Sequence, residues 1–125
     1  MEKLKKLILI SSVVVISLAL LFTGCFKSDC PAPDGSKITA HRGTIGTGGM
    51  VISGTAGAVA PGATVTVTDK DGNTATTTAD ENGGFTLLEA DLPMDFDHTL
   101  ENNISVTQKS EGCNESPAVD VEIEF

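Results

Sequence analysis

Hydrophobic residues are arranged along this chain in two regimes. Leu7 to Phe22 form one block, apolar except for Ser11, Ser12 and Ser17, and it follows a basic opening with Lys3, Lys5 and Lys6. Beyond a polar stretch, Phe26 to Ser36, the apolar residues recur at every second position. Successive side chains of a strand point to opposite faces, so this alternation marks strands with one buried face.

The alternation is clearest from Ala63 to Thr68, where Ala63, Val65 and Val67 share one face and the threonines share the other. Pro61-Gly62 leads into this strand, and Asp69-Lys70-Asp71-Gly72-Asn73 turns the chain into a return strand, Thr74 to Ala79. The Asp-Gly pair suits such a hairpin because both residues tolerate positive φ. The same reading predicts strands at Lys37 to His41, at Met50 to Ser53, and at Phe85 to Leu88 with Phe85 and Leu87 inward. Asn103 to Lys109 follows, with Ile104 and Val106 inward, and Ala118 to Phe125 closes the chain with Val119, Val121, Ile123 and Phe125 inward. Glu89 to Glu101 is an acidic, irregular connection containing Pro93, and Glu111 to Pro117 is a loop. About seven short strands at hairpin spacing, with no helix after the first block, predict an all-β antiparallel sandwich. Lys37 to His41 and Phe85 to Leu88 are the expected sheet edges, since neither carries the dense lysines that normally blunt one and Lys37 and Glu89 only flank them; the alternative is that loops cover both.

The first block is short for a bilayer span, which takes roughly 20 apolar residues. A basic opening, an apolar run and small residues at its end describe a secretory signal. The end reads Phe22-Thr23-Gly24-Cys25, which resembles the bacterial lipobox, with Phe22 where Leu is usual. The resemblance implies removal of residues 1–24 and a lipid on Cys25. Residues 25–36 are then expected to be a lipidated flexible tether, containing Pro31 and Pro33, and residues 37–125 the sandwich. The implied location is the bacterial envelope. Phe26 stands where Asp would signal inner-membrane retention, so the outer membrane or cell surface is favoured.

The formal charge of −9 becomes more negative once the basic opening is removed, which argues against nucleic acid as a partner. The chain has no Trp or Tyr, which counts against a stacking platform for sugars or bases. Cys30 and Cys113 remain as an even pair in an oxidising compartment. The reading is a disulfide, with two free thiols as the alternative. No further ligand lies near either cysteine at metal-binding spacing.

Asp69, Asp71 and Asn73 invite a calcium reading, but Gly72 and the absent Glu do not fit a calcium loop, and a hairpin turn accounts for them. Asp80 and Asn82 are read in the same way. Asp95, Asp97 and His98 form the most chemical-looking cluster, able in principle to hold a metal or to act as acid and base. The alternative there is a solvated acidic edge. His41 is read as a surface side chain. Neither a nucleophile elbow nor a phosphate-binding glycine spacing is present. No cofactor, metal or catalytic residue is assigned.

Ile52-Ser53-Gly54-Thr55-Ala56, Pro61 to Val67, Asp71-Gly72-Asn73 and Thr77 to Phe85 occur in an order that resembles the bacterial Ig-like domains of surface adhesins and biofilm proteins. Ala58, Val59 and Ala60 stand as extra residues, expected to form a bulge or an extended loop. Transthyretin-like and carboxypeptidase regulatory-like sandwiches are the alternative. The resemblance implies a non-enzymatic module for adhesion, assembly or contact with an envelope protein, held to the membrane through Cys25. From a different class, the chain would be a small ligand- or metal-binding accessory protein using residues 89–101.

Overall fold

The computed structural model describes residues 27–43 and 49–125. Within them the chain forms β1 (Ile38–Arg42), β2 (Met50–Gly54), β3 (Thr64–Thr68), β4 (Thr74–Thr78), β5 (Phe85–Leu88), β6 (Asn103–Lys109) and β7 (Val119–Glu124). Single 3₁₀ turns at Gly35–Lys37 and Glu89–Asp91 are the only helical residues among those described. Most strand residues are β-branched. Their stiff side chains sit well on a pleated surface, and their alternation assigns each to one face.

The strands are ordered β4-β3-β6-β7-β1-β2-β5. β7 belongs to both layers of the sandwich. Its first part pairs antiparallel with β6, from Val119 opposite Val106 to Glu122 opposite Asn103. Its last residues pair parallel with β1, Ile123 beside Ala40 and Glu124 beside His41. This parallel contact is a departure from the wholly antiparallel sandwich expected, and it moves an edge. β1 lies between β2 and β7, so the strand expected at Lys37 to His41 is interior. The free edges are β4 and β5.

The core fills from both layers. Ile52, Val65, Val67, Ile104 and Val106 are fully buried, and Ala40, Met50, Leu87 and Ile123 are nearly so. Each such aliphatic side chain withdrawn from water contributes about 1.5–3 kcal/mol. Register sets the pairs: Val67 faces Val106, Ile52 faces Leu87, and Ile104 faces Val121. Ala58 and Val59 are buried in this core, so the extra residues before Pro61 form a loop between β2 and β3 that folds inward. Val59 is held by a hydrogen bond from its N–H to the Gly83 carbonyl. Gly83 has φ of 80°, and a Cβ there would collide with the Val59 carbonyl, so only glycine serves. Phe125, expected inward, is 68% exposed because β7 ends at Glu124.

Candidate functional site

The acidic connection folds back over one end of the sandwich, and a buried carboxylate holds it there. Asp69, 6% exposed, directly follows β3. Its Oδ1 accepts the main-chain N–H groups of Asp71 at 2.9 Å and Asn73 at 2.8 Å, closing the hairpin. Its Oδ2 accepts the Asn73 side-chain amide at 2.9 Å and the Asp97 N–H at 2.8 Å. The same Asn73 amide donates to the Asp95 carbonyl at 2.9 Å. Burial works to raise the Asp69 pKa, but these donors outweigh it and hold the carboxyl below its ordinary value. Gly72, at φ of 89°, lets the hairpin turn within this ring of donors.

Asp95, Asp97 and His98 are therefore adjacent in sequence but engaged separately. Asp95 offers its carbonyl to the hairpin. The Asp97 carboxylate accepts the Thr99 hydroxyl at 2.6 Å and the Asn102 amide at 2.7 Å. The Thr99 hydroxyl is the main cause of its lowered pKa. His98 turns toward Glu89, with Nε2 3.3 Å from Glu89 Oε1 but out of line for a hydrogen bond. Phe96, between the acids, is 3% exposed and packs into the core together with Leu92. Leu92 and Phe96 thus plug the end of the sandwich, while Glu89, Asp91 and Asp95 stay exposed as the solvated edge their acids suggested. Among the described residues no group of three or more His, Cys, Asp or Glu side chains is placed to hold a metal ion.

Glu89 has a second task. Its Oε2 accepts the Met50 N–H at 2.7 Å, fastening the start of the connection to the start of β2. Arg42, at the end of β1, donates to the His98 carbonyl at 3.4 Å. An open groove lined by Arg42, His98, Thr99, Leu100 and Glu101 lies beside these contacts. His41 is exposed on β1, as expected of a surface side chain. Asp80 accepts the Gly84 and Asn82 N–H groups on Oδ1, and these bonds lower its pKa. It organises a turn, like Asp69.

At the opposite end Cys30 and Cys113 form a disulfide across 83 positions, with Cα atoms 5.1 Å apart. Cys30 is 2% exposed. The described part of the expected tether, Lys27 to Ser36, is docked on the sandwich instead of standing free. Asn114 receives it on three atoms. Its N–H donates to the Ser28 carbonyl at 2.9 Å, its carbonyl accepts the Cys30 N–H at 2.8 Å, and its amide donates to the Lys27 carbonyl at 2.8 Å. Further on, the Pro31 carbonyl accepts Gln108 Nε2 at 2.7 Å, and the Asp34 N–H donates to the Ala58 carbonyl at 2.8 Å. Gln108 was missed in the sequence, although it occupies the inward position that continues Ile104 and Val106. Residues 1–24 and Cys25 lie outside the described residues, and no described helix is long and apolar enough to cross a membrane.

The two sheet edges differ. On β5 the N–H of Leu88 is taken by the Asp91 carboxylate at 2.9 Å, which blunts that edge. β4 runs Thr-Ala-Thr-Thr-Thr with no charge and no proline. Its threonines continue a hydroxyl-bearing face, Thr66 lying opposite both Thr76 and Thr107. A family model for the bacterial Ig domain matches residues 32–124.

The chain belongs to the bacterial Ig domain family. The match begins at Ala32, inside the docked N-terminal segment, and ends at Glu124, the last residue of β7. It therefore takes in the whole sandwich and supports an Ig-like fold over the transthyretin-like alternative. Bacterial Ig domains are generally non-catalytic and typically extracellular or surface-exposed, in keeping with a protein-interaction role in the envelope. Among curated proteins, none matches this sequence.

Proposed function

We propose that this protein is an envelope lipoprotein, anchored by acylated Cys25, whose bacterial Ig domain makes non-catalytic contact with another envelope protein. The observation that carries the contact is the β4 edge. It offers five consecutive uncharged residues with an unpaired backbone side, and an incoming extended segment can add to it as a further strand. The partner suited to this edge is an extended stretch of another envelope protein with small or β-branched side chains, which continue the threonine face. The carboxylates that suggested chemistry support the same reading, because Asp69, Asp80 and Asp97 are engaged in fixing turns.

The anchor is supported by Thr23-Gly24-Cys25 at the end of the apolar block. Fatty-acid labelling in a bacterial host tests it. The wild-type chain takes up label and loses residues 1–24, and Cys25→Ser yields an unlabelled precursor. Labelling retained by Cys25→Ser overturns the anchor.

A further inference from the structure

We infer that the domain stands on its bilayer in one orientation, with Lys27 to Cys30 and the Ser110–Pro117 loop against the lipid surface and the 69–73 hairpin and 89–101 connection at the far pole. The inference rests on acylation of Cys25 and adds the surface that meets the membrane. Its basis is the length of chain between the lipid and the first fastened residue. A free arm from residue 25 to residue 36 would reach about 40 Å when extended, and the domain on it would tumble. Here the Lys27 carbonyl already accepts the Asn114 amide at 2.8 Å. Lys27 lies two positions after the acylated residue, with Phe26 alone between them, a reach of about 7 Å at most.

The fastening is not a single bond that a fraying terminus would lose. Asn114 and Ser28 add a main-chain hydrogen bond of 2.9 Å, Asp29 and Asn114 form a parallel bridge, and the Cys30–Cys113 disulfide closes the segment covalently onto the same loop. The strand register then determines which end points away. Lys109 lies opposite Thr64, so the loop after β6 shares a pole with the start of β3. Ser105 lies opposite Thr68, so the hairpin that follows β3 is at the other pole. The length of β6 separates them, roughly 20 Å. The Arg42 and His98 groove and the Asp69 network consequently face away from the membrane. The β4 edge runs from the far pole toward the bilayer.

The absence of tryptophan in the natural chain makes the test direct. Glu111→Trp and Asp71→Trp each place one reporter at an exposed position, the first at the near pole and the second at the far pole. The lipidated full-length variants are reconstituted into phosphatidylcholine vesicles containing headgroup-spin-labelled phosphatidylcholine. Glu111→Trp is expected to lose most of its emission, and Asp71→Trp to keep it. Equal quenching of the two, or quenching of neither on vesicles that carry the protein by flotation, overturns the orientation. Failure to float overturns the acylation reading, and the orientation with it. Inserting about ten Gly-Ser residues between Phe26 and Lys27 adds roughly 17 Å of reach. That insertion is expected to restore the Glu111→Trp emission, and quenching that survives it overturns the short-tether argument.

Discussion

The Asp97 N–H donates a 2.8 Å hydrogen bond to Asp69 Oδ2 across 28 positions of sequence. This contact joins the β3–β4 hairpin to the acidic connection that closes the end of the sandwich. Asp69→Asn retains the size of the side chain but replaces one accepting oxygen with a donor, facing N–H groups that have no other partner in the ring. Hydrogen bonds to a charged group are worth about 1.5–3 kcal/mol each, so a loss of at least about 2 kcal/mol in urea unfolding is expected.

The same carboxylate gives a pH signature. Asp69 and Asp97 have folded-state pKa values below their ordinary values, so the unfolded chain binds more protons as the medium is acidified. Their contribution is present in full above the unfolded value of about 3.9 and is lost as pH falls through the folded values. Thermal melts across this acid range should show wild-type stability falling toward low pH. In Asp69→Asn the fall should be shallower. An identical slope in both proteins contradicts the assignment of the acid limb to Asp69.

Gln108 supports a second prediction, at the other pole. The side chain is 3% exposed, accepts the Ala60 N–H at 2.7 Å on Oε1, and donates to the Pro31 carbonyl at 2.7 Å. Gln108→Leu preserves the inward position and strands both partners. The half-buried Ala60 N–H, left without an acceptor, costs about 1 kcal/mol, and the Pro31 carbonyl, on an exposed residue, costs less because water can replace the amide. Hydrogen exchange should show the Ala60 amide losing protection while amides in the middle of β3 remain slow.

The strands were legible in the sequence and the closures were not. Ala63 to Thr68 alternates cleanly because Val65 and Val67 meet Gln108 and Val106 across one ladder while the threonines face water. No such local signal marks the parallel contact of Ile123 with Ala40, which joins residues from opposite ends of the domain and makes β1 interior. The docking of Lys27 to Ser36 was hidden for a related reason. Its backbone groups are satisfied by Asn114, Gln108 and Ala58, partners supplied by the fold and not by its own Pro-rich composition. Asp69 and Asp97 read as candidate chemistry because a carboxylate that gathers N–H donors has the same residue pattern as one that gathers a cation. Phe96, set between two acids, was the available sign that the connection packs inward.

The disulfide spans 83 positions, and closing so long a loop stabilises by up to about 4–5 kcal/mol in the chain-entropy model. Protein purified from the envelope without reductant should show no alkylatable thiol at Cys30 or Cys113. The double variant Cys30→Ser, Cys113→Ser should unfold at lower urea concentration. It should also expose the segment before Gly35 to protease sooner than the strands, because hydrogen bonds from Asn114 alone then hold its first residues. Simultaneous cleavage of segment and sandwich would contradict that order.

The β4 edge yields the last prediction, and β5 supplies its control. Thr76 is exposed on β4, and a lysine there blunts an edge in the manner natural sheets use, by placing a charge beside any incoming strand. Thr76→Lys touches no buried contact, so its stability should stay within about 0.5 kcal/mol of wild type. Leu88→Lys makes the equivalent change on β5, at a side chain 52% exposed beside Val51, where Asp91 already occupies the main-chain N–H. Crosslinking of the anchored protein in intact envelopes should therefore lose its partner adduct in Thr76→Lys and retain it in Leu88→Lys. Loss in Leu88→Lys alone would transfer the contact to the β5 edge, where Leu88 and Val51 give an apolar pair for the partner to cover. Retention in both folded variants would remove strand addition as the mode of contact, and the far-pole groove at Arg42 and His98 would then be the surface to alter.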